Sequence, residues 1–237
     1  MFAIYKREMR SYFISPIGYI YLAIFLAVSG VVFSMTTLLM GHSSNIANYF
    51  TYMLISFFIV LPLLTMKLFA DEKKQRTETL LISAPVSTTS MVCAKFFAAF
   101  SVFMIGFAVS LINLIPFFAY ASGNPDGQTI VGSILGLILI AAAFIAIGVM
   151  VSSLTENQLI AALGTMGIIF VFVMISFFNS SIDSYFLRSI LSWISVMDRY
   201  AMLTVGRFDV SAIVYFISLC FSFLFITVRV YEKRRWA

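Results

Sequence analysis

The sequence predicts an all-α, polytopic membrane protein with six transmembrane helices, and composition and charge distribution both support this prediction. Of 237 residues, 62% are hydrophobic and only 11% are charged, whereas a soluble domain carries roughly 25% charged residues. The charges cluster near the N-terminus, at residues 67–78, at residues 183–209 and at the C-terminus. The apolar runs between these clusters reach the roughly 20 helical residues that cross a bilayer. We expect residues 1–237 to form a single transmembrane domain.

Six apolar runs define the predicted spans. Lipid offers no partner for backbone N–H and C=O groups, so each run is expected to be helical. A β-barrel is disfavoured because the runs are uniformly apolar rather than alternating. None of them contains an internal Asp or Glu, and Lys67 and Lys95 lie near span ends, from where we expect their long side chains to reach the interface. The predicted spans cover residues 17–40, 47–69, 91–121, 130–151, 159–178 and 210–230.

The basic residues predict that both termini are cytoplasmic. With the N-terminus inside, the outer segments hold only Arg188, Arg199 and Arg207, and such an excess of inner basic residues is typical of proteins of the cytoplasmic membrane. The net charge of +5 then reflects topology and attraction to anionic lipid. No nucleic-acid partner is expected, because the basic residues do not form one aromatic-interleaved patch. The inner basic residues are Lys6, Arg7, Arg10, Lys67, Lys73, Lys74, Arg76, Lys95, Arg229, Lys233, Arg234 and Arg235.

Residues 1–16 are predicted to form an interfacial helix before the first span. Its apolar side would lie in the membrane interface and its basic side would meet the headgroups. The alternative is a basic anchor that only sets topology. Ser15-Pro16 and Gly18 are expected to end this helix and turn the chain into the first span. The apolar side comprises Phe2, Tyr5, Met9, Tyr12 and Phe13, and the charged residues Lys6, Arg7, Glu8 and Arg10 fall elsewhere.

Two inner segments are candidate docking surfaces for a soluble partner. Residues 71–89 carry dense charge of both signs followed by apolar residues, and Pro85 ends any helix near Ala84. A short helix there would lie across the inner membrane face; the alternative is a solvated loop that only sets topology. The second segment, residues 152–158, is short. Its capping-box spacings, Ser153 to Glu156 and Thr155 to Gln158, fit the start of the fifth span. A smaller second contact would involve Thr155, Glu156 and Asn157.

Other features predict outer helices and exclude several kinds of site. Residues 179–209 have apolar residues about every four positions, which predicts one or two amphipathic helices at the outer face. Gly132 and Gly136 have the spacing that lets helices pack closely within or between subunits. Cys93, Cys220 and His42 indicate neither a disulfide framework nor a metal site.

No catalytic activity is expected of this chain. It has no Walker A, H-E-x-x-H or G-x-S-x-G motif. The lack of intramembrane carboxylates disfavours a proton-driven carrier or a channel. The mildly polar residues of the spans, such as Ser29 and Asn113, favour amphipathic or lipidic cargo over ions.

Four stretches carry a family resemblance. They are YKREMRSYFISPIGY at 5–19, LPLLTMKLFADEKKQ at 61–75 with its continuation to residue 87, SSLTENQLIA at 152–161, and the closing helix at 208–236 with its EKRRW ending. Together they resemble permease subunits of the ABC-2 type, the membrane half of ABC transporters whose ATPase is a separate chain. They are also similar to the gliding-motility-associated group of these permeases. That family often has Gly where this chain has Arg76.

The resemblance implies a mechanism. Two permease chains, as a homo- or heterodimer, would pair and dock on two ABC ATPase subunits, which bind ATP and Mg; this chain would hold no cofactor. A cytoplasmic coupling helix would transmit ATPase closure to the spans and so move an amphipathic cargo. We expect Glu72 and Glu78 to pair with basic ATPase residues, and Leu80 and Leu81 to anchor in a groove of the ATPase. The implied coupling residues are Asp71, Glu72, Lys73, Lys74, Gln75, Arg76, Thr77, Glu78, Leu80 and Leu81.

The alternative function is a membrane scaffold or assembly factor. Such a protein would use the same inner segment to recruit a cytoplasmic partner but would move no cargo. A neighbouring gene with Walker A and ABC-signature motifs would favour the permease.

Overall fold

A computed structural model describes residues 1–39, 46–77, 86–120, 127–179, 191–204 and 209–236. Within these residues there is no strand, and six helices are long and apolar enough to span a membrane. The prediction of an all-α membrane protein with six spans is therefore confirmed. The spans are Pro16–Thr37, Ile46–Lys74, Thr88–Phe118, Gly127–Leu154, Gln158–Ser176 and Val210–Arg234.

The described residues form ten α-helices with defined bounds, and residues 191–194 are also helical. The first span ends in a π-helical turn, Ser34–Leu39, and a 3₁₀ turn, Leu111–Asn113, interrupts the third. The helices are α1 (Phe2–Ile14), α2 (Pro16–Phe33), α3 (Ile46–Thr65), α4 (Lys67–Lys74), α5 (Thr88–Ser110), α6 (Leu114–Tyr120), α7 (Gly127–Leu154), α8 (Gln158–Asn179), α9 (Val196–Thr204) and α10 (Val210–Trp236).

Helix α7 lies at the centre of the bundle. It packs against α3, α4, α5, α8, α9 and α10, and it is the most buried of the six spans. Helices α2, α8 and α10 are largely exposed along their apolar sides, as expected of helices that face lipid. Because six passes return the chain to its starting side, α1 and the C-terminus lie at the same end of the bundle. We call this the basic end and the opposite one the far end.

The turn from α1 into α2 forms where the sequence predicts it. Ser15 is extended, with φ −82° and ψ 150°, and Pro16 occupies the first turn of α2, which is where proline is tolerated because no intrahelical N–H bond is lost. A Cβ on Gly18 would lie 2.3 Å from the Tyr12 carbonyl oxygen. Glycine at this position therefore lets α1 fold back closely against α2.

The inward face of α1 differs from the predicted one. Glu8 is buried together with Tyr12, whereas Phe2 is 77% exposed. Tyr5 still points inward and donates a hydrogen bond to Ser101 Oγ at 2.9 Å. The physical reason is that α1 packs on α5, where Glu8 meets a buried cation.

The start of α8 also differs from prediction. The Ser153–Glu156 capping box does not form, because Ser153 Oγ donates to the Met150 carbonyl within α7 at 2.6 Å. Asn157 caps α8 instead, since its side-chain oxygen accepts the Leu159 N–H at 2.9 Å. The three residues between α7 and α8 thus form a tight, capped turn.

Helix α9 confirms that the segment between the last two spans contains a short helix, although residues 180–190 and 205–208 lie outside the described part of the chain. It rests on α7 at the far end. A Cβ on Gly132 would lie 2.2 Å from the Leu203 carbonyl oxygen, and one on Gly136 would lie 2.9 Å from the Tyr200 ring. The two glycines therefore form the groove that holds α9.

We predict that Gly132→Ala destabilises the protein by about 1–3 kcal/mol, because the added methyl group collides with backbone that has little room to move. The matched control is Gly30→Ala in α2, where a Cβ meets nothing within 4 Å. Thermal unfolding in detergent should show a lower midpoint for Gly132→Ala only. Equal midpoints for the two variants would contradict the close packing of α9 on α7.

Candidate functional site

Helix α4 lies at the basic end, where it continues the second span beyond a break at Met66. Its residues bond to α1 and α5 on one side and to α7 and α8 on the other. This short helix is therefore held by four other helices. It also contains the start of the segment that the sequence singles out as a docking surface.

The main contact is a ring of four charges that has a fully buried lysine and an exposed arginine. The Lys95 side chain of α5 is fully buried, so the prediction that it extends to the membrane interface is wrong. Its Nζ lies 2.9 Å from Glu72 Oε1 and 3.2 Å from Glu8 Oε1, and it donates to the Leu68 carbonyl oxygen at 2.7 Å. Arg7 Nη2 closes the ring at 2.6 Å from Glu8 and 2.7 Å from Glu72. Each carboxylate oxygen is thus shared by both cations.

The ring is electrically balanced and has one member open to solvent. Two cations neutralise two anions, which is the condition under which charges are tolerated in an apolar interior. Arg7 is 51% exposed at its side chain, whereas Lys95 is not exposed at all. Burial lowers the pKa of Arg7, but the carboxylates of Glu8 and Glu72 outweigh this effect and leave its pKa raised. The guanidinium is therefore always charged.

A single hydroxyl group forms hydrogen bonds with the backbone groups at the break between α3 and α4. Ser152 Oγ of α7 accepts the N–H groups of Phe69 and Ala70 at 3.0 and 3.2 Å, and it lies 3.2 Å from the Met66 carbonyl oxygen, to which it donates. Backbone groups at the start of a helix lack intrahelical partners, and this serine supplies them from a neighbouring span. Ser152 is fully buried, so water does not compete for these bonds.

Glycine brings α7 close enough for this contact. A Cβ on Gly148, one turn before Ser152, would lie 2.1 Å from Thr65 Oγ1. Thr65 in turn bonds to the Leu61 carbonyl of its own helix at 3.2 Å. The break in the second span therefore rests directly on the central helix.

The residues after α4 turn sharply. The N–H of Thr77 donates to the Glu72 carbonyl at 2.9 Å, and Arg76 has φ 56°. This left-handed conformation is the one that glycine adopts without strain. Arg76 takes the same backbone shape despite its side chain.

The structure separates the predicted coupling residues into two groups. Glu72 bonds inward to Lys95 and Arg7, and the Asp71 carboxylate accepts a hydrogen bond from the Gln158 side chain of α8. Residues 73 and 77 are partly buried, and the exposed members are Lys74, Gln75 and Arg76. Glu78, Leu80 and Leu81 lie outside the described residues. In the second inner segment, Glu156 and Asn157 are exposed and Thr155 is partly buried.

Sequence reasoning missed Arg7, Glu8 and Ser152 as site residues. The available signal was Lys95, a cation seven residues into a long apolar helix, which needs a nearby anion. Among the described residues, no group of three or more His, Cys, Asp or Glu side chains is placed to hold a metal ion.

Removal of the Ser152 hydroxyl should destabilise the bundle. We expect Ser152→Ala to cost about 1–3 kcal/mol, since two buried N–H groups lose their partner. Ser153→Ala is the matched control, because Ser153 is equally buried but its hydroxyl bonds to a carbonyl of its own helix. Urea or thermal unfolding in detergent compares the two. A larger loss for Ser153→Ala would contradict the assignment of Ser152 to the break.

Removal of the Lys95 charge alone should destabilise the protein more than removal of the Lys95 and Glu72 charges together. We expect Lys95→Met to cost about 3–5 kcal/mol, because it leaves the buried Glu8 and the partly buried Glu72 with one cation between them. The double variant Lys95→Met/Glu72→Leu leaves the balanced Arg7–Glu8 pair and should recover part of that loss. Thermal unfolding of both variants measures the difference. A double variant less stable than Lys95→Met would show that charge balance does not govern the ring.

The comparison with known families identifies this architecture. A model of the ABC-2 family transporter proteins matches residues 3–234, which is nearly the whole chain. None of the curated proteins compared with the chain matches it. Permeases of this family are non-catalytic membrane components that generally work with an ABC ATPase and often pair in dimers. The extent of the match and the six spans agree, and the chain belongs to the ABC-2 family of transporter proteins.

Proposed function

We propose that this chain is the permease subunit that couples ATP hydrolysis by a separate ABC ATPase to the movement of a cargo across the cytoplasmic membrane. The observation that carries the proposal is the position of α4. It is bonded to four other helices, and the residues at its end, Lys74 to Arg76, are exposed at the basic end. In this position α4 can be displaced by a protein that binds outside the membrane, and it can transmit that displacement to the spans.

The basic end is the proposed cytoplasmic side. The excess of Lys and Arg at this end supports that orientation, because basic residues are retained on the inner side of the membrane. Both termini are then cytoplasmic, and the exposed end of α4 faces the compartment that holds ATP. ATP and Mg would be bound by the ATPase.

The proposed contact with the ATPase centres on the exposed residues. Lys74, Gln75 and Arg76 would form its described part, and Glu78, Leu80 and Leu81 would extend it on the strength of the family resemblance. Glu72 has a different role in this proposal from the one expected from sequence. Its carboxylate is already shared by Lys95 and Arg7, so it would connect the contact surface to the bundle.

The second inner segment would add a smaller contact. Gln158 bonds to Asp71 of α4, so the exposed Glu156 and Asn157 lie close in the chain to a residue that touches the main surface. Two such chains, as a homo- or heterodimer, would present two of these surfaces to two ATPase subunits.

The assignment to the gliding-motility group stays a prediction.

The cargo is proposed to be amphipathic. Neutral polar side chains of the first three spans contact one another: Ser29 Oγ lies 3.0 Å from the Tyr49 hydroxyl and accepts from Asn113 Nδ2 at 2.9 Å. Such neutral groups suit a cargo with a small polar part and an apolar remainder, because they offer hydrogen bonds without charge.

Reversal of charge at Lys74 should weaken binding of the ATPase. We expect Lys74→Glu to reduce copurification of a tagged candidate ABC ATPase about tenfold, equivalent to about 1.4 kcal/mol of binding. Lys233→Glu is the matched control, an exposed lysine at the same end on α10. ATPase activity of the purified complex against a panel of amphipathic substrates gives the second readout.

Two outcomes would contradict the proposal. Equal loss of ATPase binding in the Lys74 and Lys233 variants would place the contact elsewhere. An ATPase that binds the wild-type chain but shows no cargo-dependent activity would favour the scaffold over the permease.

A further inference from the structure

The charge ring joins three helices, and this gives Lys95 a role that its position in a span does not suggest. Arg7 and Glu8 belong to α1, Glu72 to α4 and Lys95 to α5. We propose that Lys95 is a positioning residue that fastens α4 to α1 and α5, so that a displacement of α4 moves α1 with it. This inference rests on the proposed function, because it takes the ATPase as the source of the displacement.

Helices α1 and α5 already form one unit without α4. Tyr5 of α1 donates to Ser101 Oγ of α5 at 2.9 Å, and Glu8 of α1 pairs with Lys95 of α5 at 3.2 Å. These contacts lie about two turns apart along α5, so they fix the relative direction of the two helices as well as their distance. The ring then adds α4 to this unit through Glu72.

The attachments of α4 differ in strength along its length. At its start, Ser152 holds Phe69 and Ala70 through hydrogen bonds between uncharged groups. Glu72 follows within one turn and makes ion pairs with both Lys95 and Arg7. Charge-assisted hydrogen bonds are roughly twice as strong as neutral ones. The bonds from α7 to the start of α4 are therefore weaker than the ion pairs that join Glu72 to α1 and α5.

The bond between Asp71 and Gln158 adds a single tie to α8. This tie consists of one charge-assisted bond near the turn between α7 and α8, whereas the charge ring makes several contacts with α4. Lys95 also donates to the Leu68 carbonyl of α4 and lies 4.8 Å from the centre of the Phe69 ring. This places three of its contacts on α4, and it is the reason for choosing Lys95 as the residue to test.

The experiment measures the movement of α1 directly. Spin labels are placed at Ser11→Cys in α1 and Lys233→Cys in α10, both exposed positions, in a chain whose Cys93 and Cys220 are replaced by alanine. Pulsed electron paramagnetic resonance measures the distance between the two spin labels in the complex with the copurified ATPase, first without nucleotide and then with ATP. We expect the distance to shift with ATP in the otherwise wild-type chain.

The test variant is Lys95→Met/Glu72→Leu, which keeps the balanced Arg7–Glu8 pair. It should still copurify with the ATPase, since the exposed end of α4 is unchanged, and it should lose the ATP-dependent shift. Lys6→Met is the control: it removes an exposed positive charge from α1 without touching the ring, and it should keep the shift. Should the double variant fail to assemble, Glu72→Gln serves in its place and should reduce the shift.

Each remaining outcome overturns a defined statement. A full shift in the double variant or in Glu72→Gln overturns the role of Lys95, as does a wild-type complex that binds ATPase but shows no shift. Loss of the shift in Lys6→Met would show that surface charge on α1, and not the ring, governs the movement. A wild-type chain that binds no ABC ATPase overturns the proposed function and the inference with it.

Discussion

The arrangement of the basic end depends on one constraint: a lysine buried in an apolar bundle has to be neutralised by anions. Lys95 meets this constraint with carboxylates from two other helices. Glu8 reaches it only if α1 folds back along the bundle, and Ser15, Pro16 and Gly18 make that turn. Two carboxylates around one lysine would leave an excess of negative charge, and Arg7 removes it. The fold-back of α1 and the position of Glu72 on α4 therefore both serve to neutralise one buried charge.

A second constraint acts on the backbone. The second span contains Pro62, and its helix breaks at Met66, after which the buried Phe69 and Ala70 N–H groups need a partner. Lipid cannot satisfy such groups, so the protein itself has to do so. Ser152 supplies the partner, and Gly148 allows its helix to come close enough. The break is thus stable without water, and it separates the long apolar helix α3 from the short helix α4, which carries the charged residues.

Sequence alone predicted the features that depend on local composition. The six spans, the turn at Ser15-Pro16 and the short helix near the far end follow from apolar length, proline chemistry and helical spacing. The residues that form the site were not predictable in the same way. Glu8 and Lys95 are 87 positions apart in the sequence. Helical spacing indicates which residues share a face of a helix, but it does not indicate which other helix packs against that face. Glu72 was expected to pair with basic residues of an ATPase because the family resemblance implied that contact. Its pairing with Lys95 depends on how three helices pack, which no local pattern encodes.

The groove that holds α9 has a consequence for how two copies of this chain associate. Gly132 and Gly136 have the spacing that is widely associated with contacts between membrane helices, and a search for an association motif would select them. In this protein the backbone of Leu203 and the ring of Tyr200 already occupy that groove. This groove is already occupied within one chain, so the proposed pair of permease chains would meet along other surfaces.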